Sequence, residues 1–130
     1  MHCGSIWLAP VWALVLLVNA EAKPLTAEEA GKQVGKEVTV EMVVQASKDR
    51  LAARKEIYLD STNDHKDPKN LAVVITEAGA AKLKAAGIAD PAGHFKGKTI
   101  RVKGKVTLKN KEPRIEITED KQIQVVKKPG

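Results

Sequence analysis

The sequence predicts an all-β domain, a five-stranded Greek-key barrel with one helix between strands 3 and 4 and a short N-terminal helix. Three observations carry this. Apolar residues recur at every second position in several separate segments, the period of a half-buried strand. The segments run strand, strand, strand, helix, strand, strand, the order of a small closed β architecture with one inserted helix. Gly104 interrupts the longest alternation on its apolar side, where a barrel strand must bend sharply.

The chain has 130 residues, enough for one domain. Its first 22 residues are set apart. Ile6 to Val18 are uncharged and almost wholly apolar. As a helix they would span only about 20 Å, against a bilayer core of roughly 30 Å. A short apolar run ending in the small residues of Ala20-Glu21-Ala22 predicts a cleavable secretory signal, cut before Lys23. Met1 to Ser5 hold no Lys or Arg, so an uncleaved N-terminal anchor is the competing reading. Cys3 precedes the apolar run, which argues against a lipoprotein. The expected location is the periplasm or the exterior of a bacterial cell.

Without that segment, 108 residues remain with a net charge of +7, no Cys, and only Tyr58 and Phe95 as aromatics. No disulfide can staple such a domain, so it must fold on an apolar core. The predicted organisation is a signal over 1–22, a linker and short helix over 23–33, a barrel domain over 34–126 and a tail over 127–130.

Lys23-Pro24-Leu25 reads as linker. Thr26-Ala27-Glu28-Glu29 is a capping box that opens a helix to about Gln33, and Gly35 ends it. Val38, Val40, Met42 and Val44 then alternate with Thr39, Glu41 and Val43, a strand running to about Ser47. Lys48 to Arg54 reads as a polar turn region. Glu56 to Asp60 forms the second strand, Ser61 to Lys69 a loop rich in Asn, Asp and Pro, and Leu71 to Ile75 the third strand.

Thr76 caps a helix over Glu77 to Ala86, with Leu83 and Ile88 inward and Gly87 just past its end. Asp90 to His94 reads as a connecting loop. Lys98 to Leu108 alternates again. Ile100, Val102, Gly104, Val106 and Leu108 share one face; Arg101, Lys103, Lys105, Thr107 and Lys109 share the other. Asn110-Lys111 turns the chain, Pro113 to Thr118 forms the next strand, and Glu119-Asp120 leads to a last one at Gln122 to Val126.

The stretch Gly97-Lys98-Thr99-Ile100-Arg101-Val102-Lys103-Gly104-Lys105-Val106, with Pro113-Arg114-Ile115 and Gln122-Ile123, resembles the bacterial OB-fold domains of the nucleic-acid-binding, tRNA-anticodon/helicase type. Leu59-Asp60-Ser61, with Asp67-Pro68 and Asn70-Leu71, is similar to exported single-domain OB-fold proteins of bacteria, planctomycete-like ones in particular. The resemblance covers roughly residues 34 to 126. Its motifs are structural, so it implies an OB fold more than a function.

Cations are the strongest functional signal. Arg101, Lys103, Lys105 and Lys109 lie on one strand face, with Arg114 nearby and Tyr58 as the stacking aromatic. Such a row can follow phosphates and gain from counterion release. The expected function is an exported binding module for an anionic ligand, with single-stranded nucleic acid or another polyanion as the candidate partner. The alternative is a structural or protein-interaction domain, in which the lysines serve solubility and block edge pairing. No catalytic residue is assigned, and no enzyme is expected. The loop Asp60 to Asp67 gathers oxygen atoms, but it lacks the spacing of a calcium loop and contains Lys66, so an Asx-bonded turn is expected there. His65 and His94 have no Cys beside them, so no metal and no cofactor are assigned. The sequence leaves the oligomeric state open.

Overall fold

A computed structural model describes residues 23–127. The expected signal segment and residues 128–130 of the tail lie outside the described residues. The fold is mostly β. In chain order the elements are α1 (Ala27–Gly31), β1 (Glu37–Val43), β2 (Ala46–Arg50), α2 (Leu51–Arg54), β3 (Glu56–Asp60) and β4 (Ala72–Thr76). There follow α3 (Glu77–Ala85), α4 (Pro91–Phe95), β5 (Thr99–Lys109), β6 (Glu112–Ile117), a 3-10 turn (Asp120–Gln122) and β7 (Ile123–Val125).

The strands pair in the order β1-β5-β6-β4-β3-β2, and β7 pairs with β5 beside β6. All pairs are antiparallel except β4 with β6. The expected long first strand is thus two strands, β1 and β2. At Val44 the chain leaves β5: the Val44 N–H donates to Lys98 O, and the next N–H, of Gln45, donates to Asp60 O at the end of β3. One continuous segment therefore ends the sheet path on both sides, with no ladder between β1 and β2. Among the described residues seven strands are present where a five-stranded barrel was expected: this break splits the first strand, and the last strand, expected at Gln122 to Val126, pairs with β5 outside the five.

Three other expectations are corrected. Lys48 to Arg50 belong to β2, and Leu51 to Arg54 form a helical turn entered through the Asp49 carboxylate, which accepts from Leu51 N. Asp90 to His94 are not loop: Asp90 caps α4 by accepting from Gly93 N, with Pro91 at its first position, a setting proline favours. Leu25 is more than linker, since it bridges to β1 through Leu25 N to Thr39 O and Glu41 N to Leu25 O.

The remaining elements form for local reasons. Thr26 and Glu29 cap each other reciprocally. The Thr76 hydroxyl accepts from Gly79 N and donates to Ile117 O, fixing the start of α3 on the end of β6. A Cβ on Gly79 would strike that same Ile117 carbonyl, so only glycine allows the helix to sit there. Asn110 and Lys111 both have positive φ, 52° and 67°, a two-residue turn between β5 and β6.

The core is the inward face of the alternating strands. Val40, Ile57, Leu59, Val73, Ile75, Ile100, Val102, Val106, Ile115 and Ile117 are sealed from solvent, and Leu83 and Phe95 close it from α3 and α4. Gly104 also faces inward, where a Cβ would come within 2.7 Å of Ile115 Cγ2. Leu108 departs from expectation. It continues the inward parity but lies past the end of β1 and is 54% exposed.

Candidate ligand cleft

Residues of one parity on β3 (Glu56, Tyr58, Asp60) point away from the core that Ile57 and Leu59 enter. Their register partners on that outer face are Arg50, Lys48 and Ala46 on β2, and Thr76, Val74 and Ala72 on β4. Next to Ala72 on β6 stands Arg114. Val74 is fully buried on this outer face, apart from the main core cluster, so the face is covered there.

Over that face lies a concave cleft of about 500 Å³. Lys48 and Arg50 of β2 and Ala53 and Arg54 of α2 form one side. The turn residues Lys109, Asn110 and Glu112 and Arg114 of β6 form another. Tyr58 and Asp60 line it from β3, and His65 and Asn70 from the loop between β3 and β4. Five cations line the cleft with two carboxylates, Asp60 and Glu112, and Glu56 stands against Arg114, so the balance of charge around it is positive.

Two hydrogen-bonded groups fix its interior. In the first, the Tyr58 hydroxyl donates to Glu56 Oε1 at 2.6 Å and Arg114 Nη1 donates to Glu56 Oε2 at 3.1 Å. The Arg114 and Glu56 side chains are only 13% and 17% exposed. Burial acts to raise the Glu56 carboxyl, but the Tyr58 hydrogen bond and the Arg114 charge together outweigh it and hold the group below its ordinary value. Burial, and then the adjacent Glu56 carboxylate, push the Tyr58 hydroxyl up.

In the second group, Asn70 Nδ2 donates to Asp60 Oδ1 at 3.1 Å. Asn70 Oδ1 in turn accepts from Thr62 N at 3.0 Å and Thr62 Oγ1 at 3.1 Å, and Ser61 Oγ accepts from Leu71 N. Burial pushes the Asp60 carboxyl above the ordinary carboxylate range, against a smaller lowering by the Asn70 bond. The loop carboxylates of Asp64 and Asp67 accept from Lys66 N and Lys69 N, the Asx-type turns expected of this segment.

The basic residues singled out in the sequence fall into two groups. Tyr58, Lys109 and Arg114 meet at the cleft. Arg101, Lys103 and Lys105 do not line it; they stand on the outer face of the β1–β5 ladder, opposite Glu41, Thr39 and Glu37. Arg101 Nη2 donates to Glu41 Oε1 at 2.8 Å, so its charge is matched there. Lys48, Arg50 and Arg54 escaped sequence reasoning because Lys48 to Arg54 read as a turn. The alternation Ala46, Lys48, Arg50 could have marked the first two as strand residues, but its phase continues the inward face of Val40, Met42 and Val44, and only the break at Val44 and Gln45 turns them outward.

No protein-family model matches the chain, and no curated protein matches it. Solved structures do. The chain is similar to asparaginyl-tRNA synthetase from Pyrococcus horikoshii, with a TM-score of 0.54 and 14% identity over 82% of this chain and 23% of that one. It is similar to aspartyl-tRNA synthetase from Entamoeba histolytica, with a TM-score of 0.50 and 16% identity over 79% of this chain and 21% of that one. It is also similar to the OBody AM1L10, solved bound to hen egg-white lysozyme, with a TM-score of 0.55 and 16% identity over 84% of this chain and 96% of that one. The chain spans less than a quarter of the synthetases' length. At these identities the likeness is one of fold, and the fold is OB-like.

Proposed function

We propose that this protein is a binding module for single-stranded nucleic acid that performs no chemistry of its own, and that the strand lies in the cleft between α2 and the β5–β6 turn. The carrying observation is that cleft: five cations around a concave surface with Tyr58 on its floor. In this reading β1 and β2 are two halves of the first strand of a five-stranded Greek-key barrel. The cleft then falls where OB folds hold oligonucleotides, on the face of the second and third strands between the loops flanking them. Cations follow the backbone, and the Tyr58 ring offers one stacking surface. The likeness to two tRNA synthetases supports a nucleic-acid partner.

The test is fluorescence anisotropy of a labelled single-stranded oligonucleotide with the full chain. Binding is expected at low salt, with log K falling linearly as log[salt] rises, at about −0.7 per phosphate contacted. Absence of binding at low salt overturns the proposal.

The OBody neighbour, bound to a protein, favours a second reading: a protein-interaction domain using the same face. Binding of a protein partner that is insensitive to salt, with no oligonucleotide binding, would establish it. Export is part of the proposal and rests on the apolar segment from Ile6 to Val18. The secreted protein is then expected to begin at Lys23 by mass spectrometry, whereas an intact Met1 would favour an anchor.

A further inference from the structure

We infer that Asp60 reads bases in the cleft: its free carboxylate oxygen selects strands whose pyrimidines carry an exocyclic amine, cytosine over thymine. This rests on the nucleic-acid reading above and adds a preference that phosphate contacts cannot supply.

A surface built only to follow phosphates gains nothing from an acid at its centre. Asp60 is nevertheless only 6% exposed and lines the cleft among cations. A buried carboxylate costs stability unless its oxygens are matched. One oxygen is matched: Oδ1 accepts from Asn70 Nδ2. Oδ2 accepts from no donor among the described residues, yet it is not among the fully buried polar atoms left without a partner. It therefore keeps solvent access as an open acceptor on a residue that lines the cleft.

Its orientation is set in advance. Asn70 is 5% exposed and its Oδ1 accepts from Thr62 N, which orients the amide that grips Asp60. A preorganised acceptor loses little freedom when a ligand donor arrives.

Tyr58 places the donor. It precedes Asp60 by two residues on the same strand face, about 6.6 Å along β3. Its hydroxyl is engaged by Glu56, so the ring is held in place and contributes its face rather than its O–H. A base stacked there brings its edge toward Asp60. Cytosine presents the N4 amine at that edge, a donor matched to the carboxylate. Thymine presents the O4 carbonyl at the same position, acceptor against acceptor. Sites with a built-in polar partner discriminate strongly, because the wrong ligand leaves that partner buried and unpaired.

The experiment is anisotropy with the full chain and two labelled oligonucleotides of equal length, all-cytosine and all-thymine, at low salt and mildly alkaline pH, where cytosine N3 is unprotonated. The cytosine strand is expected to bind about tenfold more tightly. Asp60→Asn removes a negative charge and raises affinity for both strands, but its amide can donate to thymine O4, so the ratio collapses toward one. Asp60→Glu keeps the charge and moves the oxygens by a methylene; it is expected to lose the ratio while keeping overall affinity. Equal binding of the two strands by the native protein overturns the inference and leaves the nucleic-acid reading standing. So does a ratio that survives in a folded Asp60 variant. Binding of neither strand overturns that reading, and this inference with it.

Discussion

Along β5 the same side-chain type meets two different surroundings. At its start and middle, Arg101, Lys103 and Lys105 project from a flat ladder, and two of the three face glutamates across β1. At its end, Lys109 leans over a cleft where Arg114 is already gripped by Glu56 and three further cations approach from β2 and α2. Opposite charges across a ladder contribute about 0.2–1 kcal/mol each to the sheet. Cations around a hollow focus potential on whatever enters. On the proposed function the ladder row serves the fold and the hollow serves a ligand, although the sequence writes both as alternating Lys and Arg.

The largest effect should separate the two surfaces directly. Replacing Lys48, Arg54 and Lys109 together with Gln is expected to reduce the salt slope of oligonucleotide binding by about 2. The triple replacement of Arg101, Lys103 and Lys105 with Gln is expected to change it by less than about 0.5. An equal loss from the outer triple would move the binding surface off the cleft. Tyr58→Ala comes next, costing oligonucleotide affinity roughly 1–3 kcal/mol, while Tyr58→Phe keeps the ring and most of the binding.

The ion pairs sharpen the same contrast through stability. Glu56→Gln leaves Arg114 short of its partner in a nearly closed site and is expected to cost about 1–3 kcal/mol in urea unfolding at neutral pH. Because the folded Glu56 carboxyl lies below the ordinary glutamate value of 4.5, its contribution is present above that pH and is lost as pH falls through the folded value. The variant and the native protein should converge in acid. Glu41→Gln breaks a pair whose side chains are 36–40% exposed, and less than about 1 kcal/mol should be lost.

Smaller still is Lys111→Gly. Lys111 holds φ at 67°, which glycine adopts without a Cβ penalty, so the hairpin should gain about 1 kcal/mol. Asp60→Asn should also raise the thermal midpoint at neutral pH. Burial holds the folded Asp60 carboxyl above the ordinary aspartate value of 3.8, so it destabilises the fold when ionised. The penalty is absent below that value and grows as pH rises through the folded one. The gain should therefore vanish in acid, the opposite pH trend to Glu56→Gln. Glu56 and Asp60, two residues of one face, thus have opposite effects on stability at neutral pH.

Much of this was legible in local sequence. The Thr26–Glu29 box, the strand Glu56–Asp60, the Thr76 cap and the Asn110-Lys111 turn stand where their residues place them, because each depends on neighbours within a few positions. The split of β1 from β2 was not legible, since its cause is a change of hydrogen-bonding partner at Val44 and Gln45, from β5 to β3. Nor was the helical turn at Leu51, whose short span carries little periodicity.

What the sequence determined by itself was alternation within β1, β3, β6 and most of β5, because a strand alternates regardless of its partners; the parity of β2 and the exposure of Leu108 were settled by the break at Val44 and by where β1 ends. Only the tertiary structure decided what the outward residues face. Arg101 meets Glu41 across 60 positions of chain, and Arg114 meets Glu56 across 58. Whether an outward cation ends on a flat ladder or over a hollow depends on how the sheet curls between them, and no local pattern carries that information.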